Sequence, residues 1–341
     1  MKTELLTEQD VPRAAEILQK GGLVGIPTET VYGLGANGFD PEAVAHIFQA
    51  KGRPQDNPLI LHIPEPGWLE RCCQDIPAAA WTLAERFWPG PMTMILPRKP
   101  LVPDVVTAGL DTVGMRCPAH PLCREIIAAA DVPIAAPSGN TSGRPSPTTA
   151  GHMLEDMDGK IDAIVDGGPC AVGVESTIID LTCTPPRLLR PGGVTLEQLR
   201  DALGEVEVDP AVTRLMGAGE QPKAPGMKYR HYAPKAPVTV VAGEPKKAAE
   251  YIAAHAAPED GVICFDEFKD LFTKGHQTRP VMDLGPAGDK GEQARHIFDA
   301  LRAFDHTAVT AIWAQCPDTD GIGLAIANRL NKAAGFHIIR V

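Results

Sequence analysis

Two cations stand two residues apart in the segment Lys51-Gly52-Arg53-Pro54-Gln55-Asp56-Asn57-Pro58-Leu59. Lysine offers a compact positive charge, and arginine offers a planar fork that can grip two phosphate oxygens at once. The segment is not a Walker A loop, because Gly-x-x-x-x-Gly-Lys-Ser/Thr does not occur in the chain. Alone, the pair is a weak signal for a phosphate site, since most Lys and Arg side chains lie in solvated loops.

Other segments place hydroxyl, amide and cationic side chains at predicted strand ends. They are residues 27–35 (PTETVYGLG), 110–116 (LDTVGMR), 136–148 (APSGNTSGRPSPT), 173–178 (GVESTI) and 187–193 (RLLRPGG). Strand ends, exposed amides and helix N-termini are where α/β proteins bind polar and anionic ligands. Each segment alone is equally compatible with an ordinary turn or helix cap, and Gly33 and Gly35 could serve backbone geometry only.

Arg116 makes the case stronger, because it follows apolar residues on a predicted strand. A cation in that position needs either a buried carboxylate or an anionic ligand as its partner. Taken together, the segments bring four arginines (Arg53, Arg116, Arg144 and Arg190) and Lys51 to the loops and strand ends of one region. That region is acidic overall, so the concentration of cations predicts a binding site for an anion.

The composition describes a globular protein and disfavours several other classes. The chain has 341 residues, 44% of them hydrophobic and 22% charged, which suits about two domains of ordinary size. Residues 1–205 hold 16 Lys and Arg against 26 Asp and Glu, so a protein that coats nucleic acid is disfavoured. No apolar run is long enough to span a membrane and the N-terminus has no signal-peptide core, which predicts a cytoplasmic protein without a membrane partner.

The eight cysteines include no Cys-x-x-Cys pair. They therefore predict reduced, mostly buried thiols and no zinc ribbon.

Apolar periodicity predicts an α/β protein of two units. In the first unit, residues 1–205, helices alternate with the strands of a twisted, open, mixed sheet. The predicted helices run from residue 11 to Gly21 and over 41–50, 77–87, 121–130 and 196–203. The predicted strands are 23–26, 58–63, 93–96, 132–135, 161–165 and 176–181. Residues 206–236 are a Pro-rich linker with an unusual polar and aromatic cluster, residues 228–232. Residues 237–341 form a smaller Rossmann-like α/β unit, with strands 238–241, 261–265, 309–313 and 337–341 and helices 245–255, 292–304 and 321–334.

The ordered set of motifs resembles one family. GIPTETVYGLG, KGRPQDNPL, WPGPMT, TAGLDTVGMRCPAHP, AAPSGNTSGRPSPT, GVESTI and LLRPGG follow one another as in the YrdC-type catalytic domain of threonylcarbamoyl-AMP synthases. APGMKYRHYAP and the second α/β unit resemble the long, two-domain form of that enzyme. One departure, SGN in place of the family's more usual SAN at residues 138–140, removes no functional group.

The resemblance implies a reaction and a set of site residues. L-threonine, bicarbonate and ATP would yield threonylcarbamoyl-AMP and pyrophosphate, for the t6A modification at position 37 of tRNAs that read ANN codons. Lys51 and Arg53 would be catalytic. L-threonine would be contacted by Thr30, His62, Arg116 and Ser176. ATP would be contacted by Lys51, Arg53, Asn57, Thr112, Ala136, Ser138, Ser146, Arg190 and, from a linker lying over the cleft as a lid, Tyr229 or His231.

The resemblance also implies cofactors and partners. Mg²⁺ would be held mainly by the ATP phosphates, with no metal-binding cluster in the protein, because no group of Asp and Glu accompanies the motifs. The unstable product would pass to a downstream tRNA threonylcarbamoyl-transferase complex, and a weak direct contact with tRNA is left open. The second domain is expected to have a structural or regulatory role in anchoring the linker.

Two alternatives stay open on sequence grounds. A carbamoyl-adenylate synthase of hydrogenase maturation uses the same domain type, but it carries acylphosphatase and Cys-rich segments that this chain lacks. A non-catalytic RNA-binding module on this fold would need a basic concave face, which the acidic balance of residues 1–205 disfavours.

Overall fold

The computed structural model describes residues 2–214, 216–217, 220–227, 231–274 and 279–341. Within them, eleven strands form one mixed sheet in the order β1-β8-β2-β3-β7-β4-β6-β5-β9-β10-β11. The strands are β1 (Glu4–Leu6), β2 (Val24–Ile26), β3 (Gly33–Asn37), β4 (Ile60–His62), β5 (Met92–Pro97), β6 (Thr112–Arg116), β7 (Ile134–Ala135), β8 (Ala163–Val165), β9 (Thr177–Asp180), β10 (Arg187–Arg190) and β11 (Glu207–Val208).

The sheet is mixed, as predicted. β4 pairs with β6 in parallel, whereas β5 pairs with β6 and β2 pairs with β3 in antiparallel fashion. Gly33 and Gly35 lie in β3, so they belong to a strand and not to the ordinary turn that the sequence left open as an alternative. Each of them pairs in register with a residue of β2, and cross-strand hydrogen bonding overrides the turn preference of glycine.

Helices pack against this sheet and bury two apolar cores. They are α1 (Val11–Gln19), α2 (Pro41–Lys51), α3 (Leu69–Cys72), α4 (Ala78–Phe87), α5 (Asp104–Thr107), α6 (Pro121–Ala130), α7 (Ala150–Met157) and α8 (Leu196–Leu203). One core joins α1 and α6 to β2 and β8. The other joins α2 and α4 to the central strands, so the strand ends between these cores are held rigidly.

The smaller sheet is parallel throughout, in the order β14-β13-β15-β12-β16. Its strands are β12 (Val238–Ala242), β13 (Gly261–Cys264), β14 (Val281–Asp283), β15 (Ile312–Cys316) and β16 (Ile338–Arg340). Its helices are α9 (Pro245–His255), α10 (Lys269–Thr273), α11 (Lys290–Ala303) and α12 (Gly323–Ala333). The Rossmann-like unit is confirmed, although β15 begins three residues later than predicted because its register follows β12.

The predicted boundary between the first unit and the linker does not coincide with the edge of the large sheet. β11 lies inside the predicted linker, yet it pairs in parallel with β10 of the large sheet. The predicted linker therefore begins as part of that sheet.

The two units share a core. Val31 and Val174 of the first unit pack in one apolar cluster with residues of α11 and α12. Gly173 has a left-handed φ of 81°, and a Cβ atom there would come within 2.4 Å of the carbonyl oxygen of Ala294 in α11. The segment 173–176 is therefore pressed directly against the C-terminal unit, and only glycine fits at its start.

Two sequence predictions concern the molecule as a whole. All eight cysteines are free thiols and seven of them are buried, which agrees with the expectation of mostly buried thiols. In the parts of the chain that the structure describes, no helix has the length and apolar content needed to span a membrane.

Candidate functional site

Neighbouring strands of the large sheet bring three polar side chains onto one face. His62 of β4 is in register with Arg116 of β6, and Arg116 is in register with Thr93 of β5. Residues in register on paired strands project to the same side of a sheet. Strand pairing alone thus places a histidine, an arginine and a hydroxyl side by side.

Arg116 is only 4% exposed and forms an ion pair with Glu29, with 2.8 Å between Arg116 Nη2 and Glu29 Oε1. A buried carboxylate, one of the two partners that the sequence analysis allowed for this arginine, is therefore present. The contact lacks hydrogen-bond geometry, and Nε and Nη2 of Arg116 have no hydrogen-bond partner among the described residues. The guanidinium keeps donors for a further acceptor in the cavity.

His62 is buried beside Arg116, and its Nδ1 lies 3.2 Å from the carbonyl oxygen of Ile60. Burial, and then the charge of Arg116, lower the pKa of His62 to about 3. The imidazole is therefore neutral at physiological pH. It can act as a hydrogen-bonding group in the site but not as a cation.

The cations Lys51 and Arg53 are placed by the end of α2. Asp40 caps the N-terminus of this helix by accepting from Glu42 N and Ala43 N, and Gly52 ends it in the left-handed region at φ 61°. Lys51 is 2% exposed, and its Nζ donates to the carbonyl oxygens of Ser138 and Asn140. Its amino group therefore supports the loop at residues 138–140 from behind the cavity wall.

Burial, and then the charge of Arg53, hold the pKa of Lys51 well below its usual range. Arg53 itself lies on the cavity wall and is 8% exposed. Its Nη2 donates to the carbonyl oxygens of Asn57, at 3.3 Å, and Pro58, at 3.1 Å. The loop that follows α2 thus orients the guanidinium.

Arg190, at the end of β10, is held against the residue before β9. Its Nε donates to Ser176 O at 3.0 Å and its Nη2 to Ser176 Oγ at 3.2 Å. Ser176 Oγ also lies 2.8 Å from Thr93 Oγ1. Arg190 is 6% exposed, and burial lowers its pKa to about 10, so it is still a cation at neutral pH.

Glu175 is the carboxylate of the cavity wall. Arg329, from α12 of the C-terminal unit, donates from Nε to Glu175 Oε2 at 2.9 Å, and Ser146 Oγ donates to Glu175 Oε1. Burial favours the neutral acid, but the charges of Arg329 and Arg190 and these hydrogen bonds outweigh it, so the pKa of Glu175 is lowered. The carboxylate is ionised and engaged by the protein.

The linker closes one side of the cavity with Pro225, Gly226, His231 and Tyr232. Tyr232 is 4% exposed and its ring packs 5.2 Å, centroid to centroid, from Phe298 of α11. His231 is half-buried, and desolvation followed by the charge of Arg53 places its pKa well below the usual range. A neutral imidazole and a phenol ring thus face the same space as Arg53.

Lys332 of α12 ties the linker to the C-terminal unit, because its buried Nζ donates to the carbonyl oxygen of Gly226. Burial, followed by the charges of Arg329 and Arg190, lowers the pKa of Lys332 from an ordinary value of 10.5 to about 7. Between those two pH values the unfolded chain holds a proton that the folded chain lacks. The contribution of Lys332 to the free energy of unfolding therefore increases as the pH rises from about 7 to 10.5.

This linkage can be tested with Lys332→Met, which removes the titrating group. As the pH is raised from about 7 to about 9.5, the free energy of unfolding of the wild type should increase relative to that of the variant. Urea denaturation of both proteins across this range measures the difference. A difference that stays constant with pH would contradict the lowered pKa.

The structure brings most of the predicted site residues to one cavity and leaves others outside its wall. On the wall are Thr30, Arg53, His62, Arg116, Ala136, Ser138, Ser176, Arg190 and His231. Behind it are Lys51, Asn57 and Ser146, which contact the wall residues. Thr112 begins β6 whereas Arg116 ends it, which puts them about 13 Å apart at the usual rise per residue. Tyr229 lies outside the described residues.

Other wall residues carried no role in the sequence interpretation, namely Thr28, Val31, Gly33, Ile60, Pro137, Asn140, Glu175, Pro225, Gly226 and Tyr232. Glu175 belongs to the GVEST motif, which the sequence analysis singled out, so a role for it could have been predicted. Its partner Arg329 is 154 positions away, and no local pattern indicates such a contact. Among the described residues, no group of three or more His, Cys, Asp or Glu side chains is arranged to hold a metal ion.

Family models match both units. Residues 16–192 match the model described as "Telomere recombination", and residues 194–335 match the model described as "Threonylcarbamoyl-AMP synthase, C-terminal domain". The two matches together cover nearly the whole chain in the order that the motifs predicted.

Full-length relatives and a solved structure agree with these models. The threonylcarbamoyl-AMP synthase of Pyrococcus abyssi is 48% identical over 99% of this chain and 98% of its own. That of Bacillus subtilis is 45% identical over 99% of this chain and 97% of its own. The crystal structure of P. abyssi Sua5 in complex with L-threonine is 46% identical, with a TM-score of 0.92 over 100% of both chains. The chain therefore belongs to the family of threonylcarbamoyl-AMP synthases, in its two-domain form.

Proposed function

We propose that the cavity between the large sheet and the linker joins L-threonine, bicarbonate and ATP into threonylcarbamoyl-AMP, with release of pyrophosphate. The observation that carries this assignment is the convergence of Arg53, Arg116 and Arg190, each at most 8% exposed, on one cavity wall. Two buried acids oppose them, Glu175 on the wall, which also binds Arg329, and Glu29, which pairs with Arg116, so the buried arginines still outnumber the acids. A buried excess of positive charge is costly unless an anionic ligand compensates it.

The chemistry suits a site rich in fixed cations. The amino group of threonine and bicarbonate combine into a carbamate with loss of water. A carbamate oxygen then forms a bond to the α-phosphorus of ATP while the bond from that phosphorus to the oxygen bridging to the β-phosphate breaks. Pyrophosphate leaves with the electron pair of that bond. Because negative charge develops on phosphate oxygens, positioning and electrostatic stabilisation contribute more than a strong base.

The wall divides into two groups of ligands. Thr30, His62, Arg116 and Ser176 lie around the strand ends and are assigned to threonine, with Arg116 taking its carboxylate. Arg53, Ala136, Ser138, Arg190 and His231 are assigned to ATP. Lys51, Asn57 and Ser146 act through their contacts with Ser138, Arg53 and Glu175. Thr112 receives no role.

Mg²⁺ would enter as part of the nucleotide. Glu175, the acid of the described wall, is already engaged by Arg329 and Ser146, so its oxygens are committed to the protein. The phosphate oxygens of ATP are the ligands that Mg²⁺ prefers. The ion would neutralise phosphate charge, and no protein ligand is assigned to it.

The product is an activated adenylate, which is short-lived in water. We assign it to t6A37 formation on tRNAs that read ANN codons, through a tRNA threonylcarbamoyl-transferase. The arginine-lined cavity suits anionic ligands, and the recipient tRNA is assigned to that second enzyme.

Pyrophosphate release from ATP tests the assignment. With the complete set of substrates, release should be rapid, and omission of either L-threonine or bicarbonate should reduce it to the background rate. The adenylate should appear in equal amount, as measured by mass spectrometry. Release that does not depend on threonine would disprove the assignment, and release supported by carbamoyl phosphate in place of both would indicate a carbamoyl-adenylate synthase.

A further inference from the structure

We infer that Arg329 of the C-terminal unit is a positioning residue for the active site, and that it keeps Arg190 available for the nucleotide. The inference rests on the proposed function, because it assigns Arg190 to ATP. It gives the C-terminal unit a direct part in the reaction, in addition to its contacts with the linker.

The contacts of Arg329 are the first support. Its side chain is fully buried, and its Nη1 donates to the carbonyl oxygen of Pro191 at 2.7 Å. Its Nε and Nη2 donate to the carboxylate and the carbonyl oxygen of Glu175, at 2.9 and 3.2 Å. One guanidinium therefore holds two separate segments of the catalytic unit together.

Those two segments carry residues of the cavity wall. Glu175 directly precedes Ser176, and Pro191 directly follows Arg190. Ser176 and Arg190 are hydrogen-bonded to each other and both line the cavity. Because the guanidinium of Arg329 binds the chain neighbour of each residue, it limits how far Ser176 and Arg190 can move apart.

Charge balance is the second support. Glu175 is ionised and feels the charges of both Arg329 and Arg190. With Arg329 present, the carboxylate has its own counter-charge, and the charge of Arg190 remains for a phosphate. Without Arg329, Glu175 would be left to pair with Arg190 and would compete with the nucleotide for it.

The test compares Arg329→Gln, Glu175→Gln and the double variant with the wild type. Arg329→Gln should lower kcat/KM for ATP and weaken ATP binding by about tenfold or more, because Glu175 loses its partner and then competes with ATP for Arg190. The loss caused by Arg329→Gln should be much smaller in the Glu175→Gln background, because the competing charge is then gone. Calorimetry with ATP, pyrophosphate release and thermal unfolding give the three readouts.

Arg279→Gln is the matched control. Arg279 is also a buried arginine of the C-terminal unit, but it donates to the carbonyl oxygens of Ala256 and Ala257 within that unit. It should lower stability without changing kcat or KM. If Arg329→Gln does not fold, Arg329→Lys replaces it, because a single amino group cannot hold Glu175 and Pro191 together and should shift the same constants.

The outcomes separate this inference from the proposed function. A variant at Arg329 that loses only stability, with kcat, KM and ATP affinity as in the wild type, would overturn the positioning role. An equal loss in both Glu175 backgrounds would overturn the charge argument. If ATP binding depends on Arg329 but the wild type releases no pyrophosphate with threonine, the proposed function would be overturned and the positioning role would stand.

Discussion

Replacing Arg53 by alanine is expected to lower kcat/KM for ATP by roughly two to three orders of magnitude, since a charged, forked contact to phosphate is worth a few kcal/mol. Arg53 lies on the cavity wall, and its Nη2 is oriented by the carbonyl oxygens of Asn57 and Pro58. Steady-state pyrophosphate release at varied ATP concentration measures the effect. Threonine affinity should change little, because Thr30, His62 and Arg116 remain in place.

Two further variants define what the Arg53 result means. Arg53→Lys keeps the charge and loses the fork, so its rate should fall between those of the wild type and Arg53→Ala. Arg71→Ala removes a half-exposed arginine of the same unit that pairs with Asp131, away from the cavity, and its kcat/KM for ATP should equal that of the wild type. Near-normal turnover by Arg53→Ala would show that the loop after α2 is only structural.

Deleting residues 225–234 is expected to abolish synthesis. The deletion removes four wall residues, Pro225, Gly226, His231 and Tyr232, and opens the cavity to water. Bulk water would weaken each charge interaction with the phosphates and would hydrolyse the activated product. Pyrophosphate release and adenylate formation, measured together, distinguish loss of catalysis from loss of the product.

The control keeps the length of the linker and removes its side chains. Replacing residues 225–234 with a Gly-Ser segment of equal length leaves the two units tethered, so any loss is due to the missing wall. Threonine binding by calorimetry should survive in both proteins, since His62 and Arg116 stand on strands of the large sheet. Synthesis at the full rate by either protein would show that the linker is not part of the site.

The contrast between Arg53 and Lys51 shows how far local sequence can lead. Both belong to one motif, and spacing alone predicts that both meet the phosphates. In the folded chain Arg53 reaches the wall, whereas Lys51, still in the last turn of α2, donates to carbonyl oxygens of the loop at residues 138–140. The direction of a side chain at a helix end depends on what packs against that helix, and the motif does not contain this information.

Patterns that operate over a few residues were predicted well. The bounds of α6, α8 and α9 agree with their prediction to the residue, because a proline or a capping threonine begins each one. The family resemblance also predicted that Thr30, His62, Arg116, Ser176 and Arg190 belong to one site, and the structure brings all five to the cavity wall.

By itself, then, the sequence determined the two α/β units and the concentration of cations at strand ends, because these depend on residue type, periodicity and local capping, and its resemblance to a family indicated nine residues of the cavity wall. Tertiary structure alone decided that Glu29 pairs with Arg116, that Lys51 supports a loop, and that Arg329 and Lys332 of α12 reach the catalytic unit and the linker. Glu175 and Arg329 are 154 positions apart. Contacts at such separations are set by the packing of whole units, which no short pattern of residues encodes.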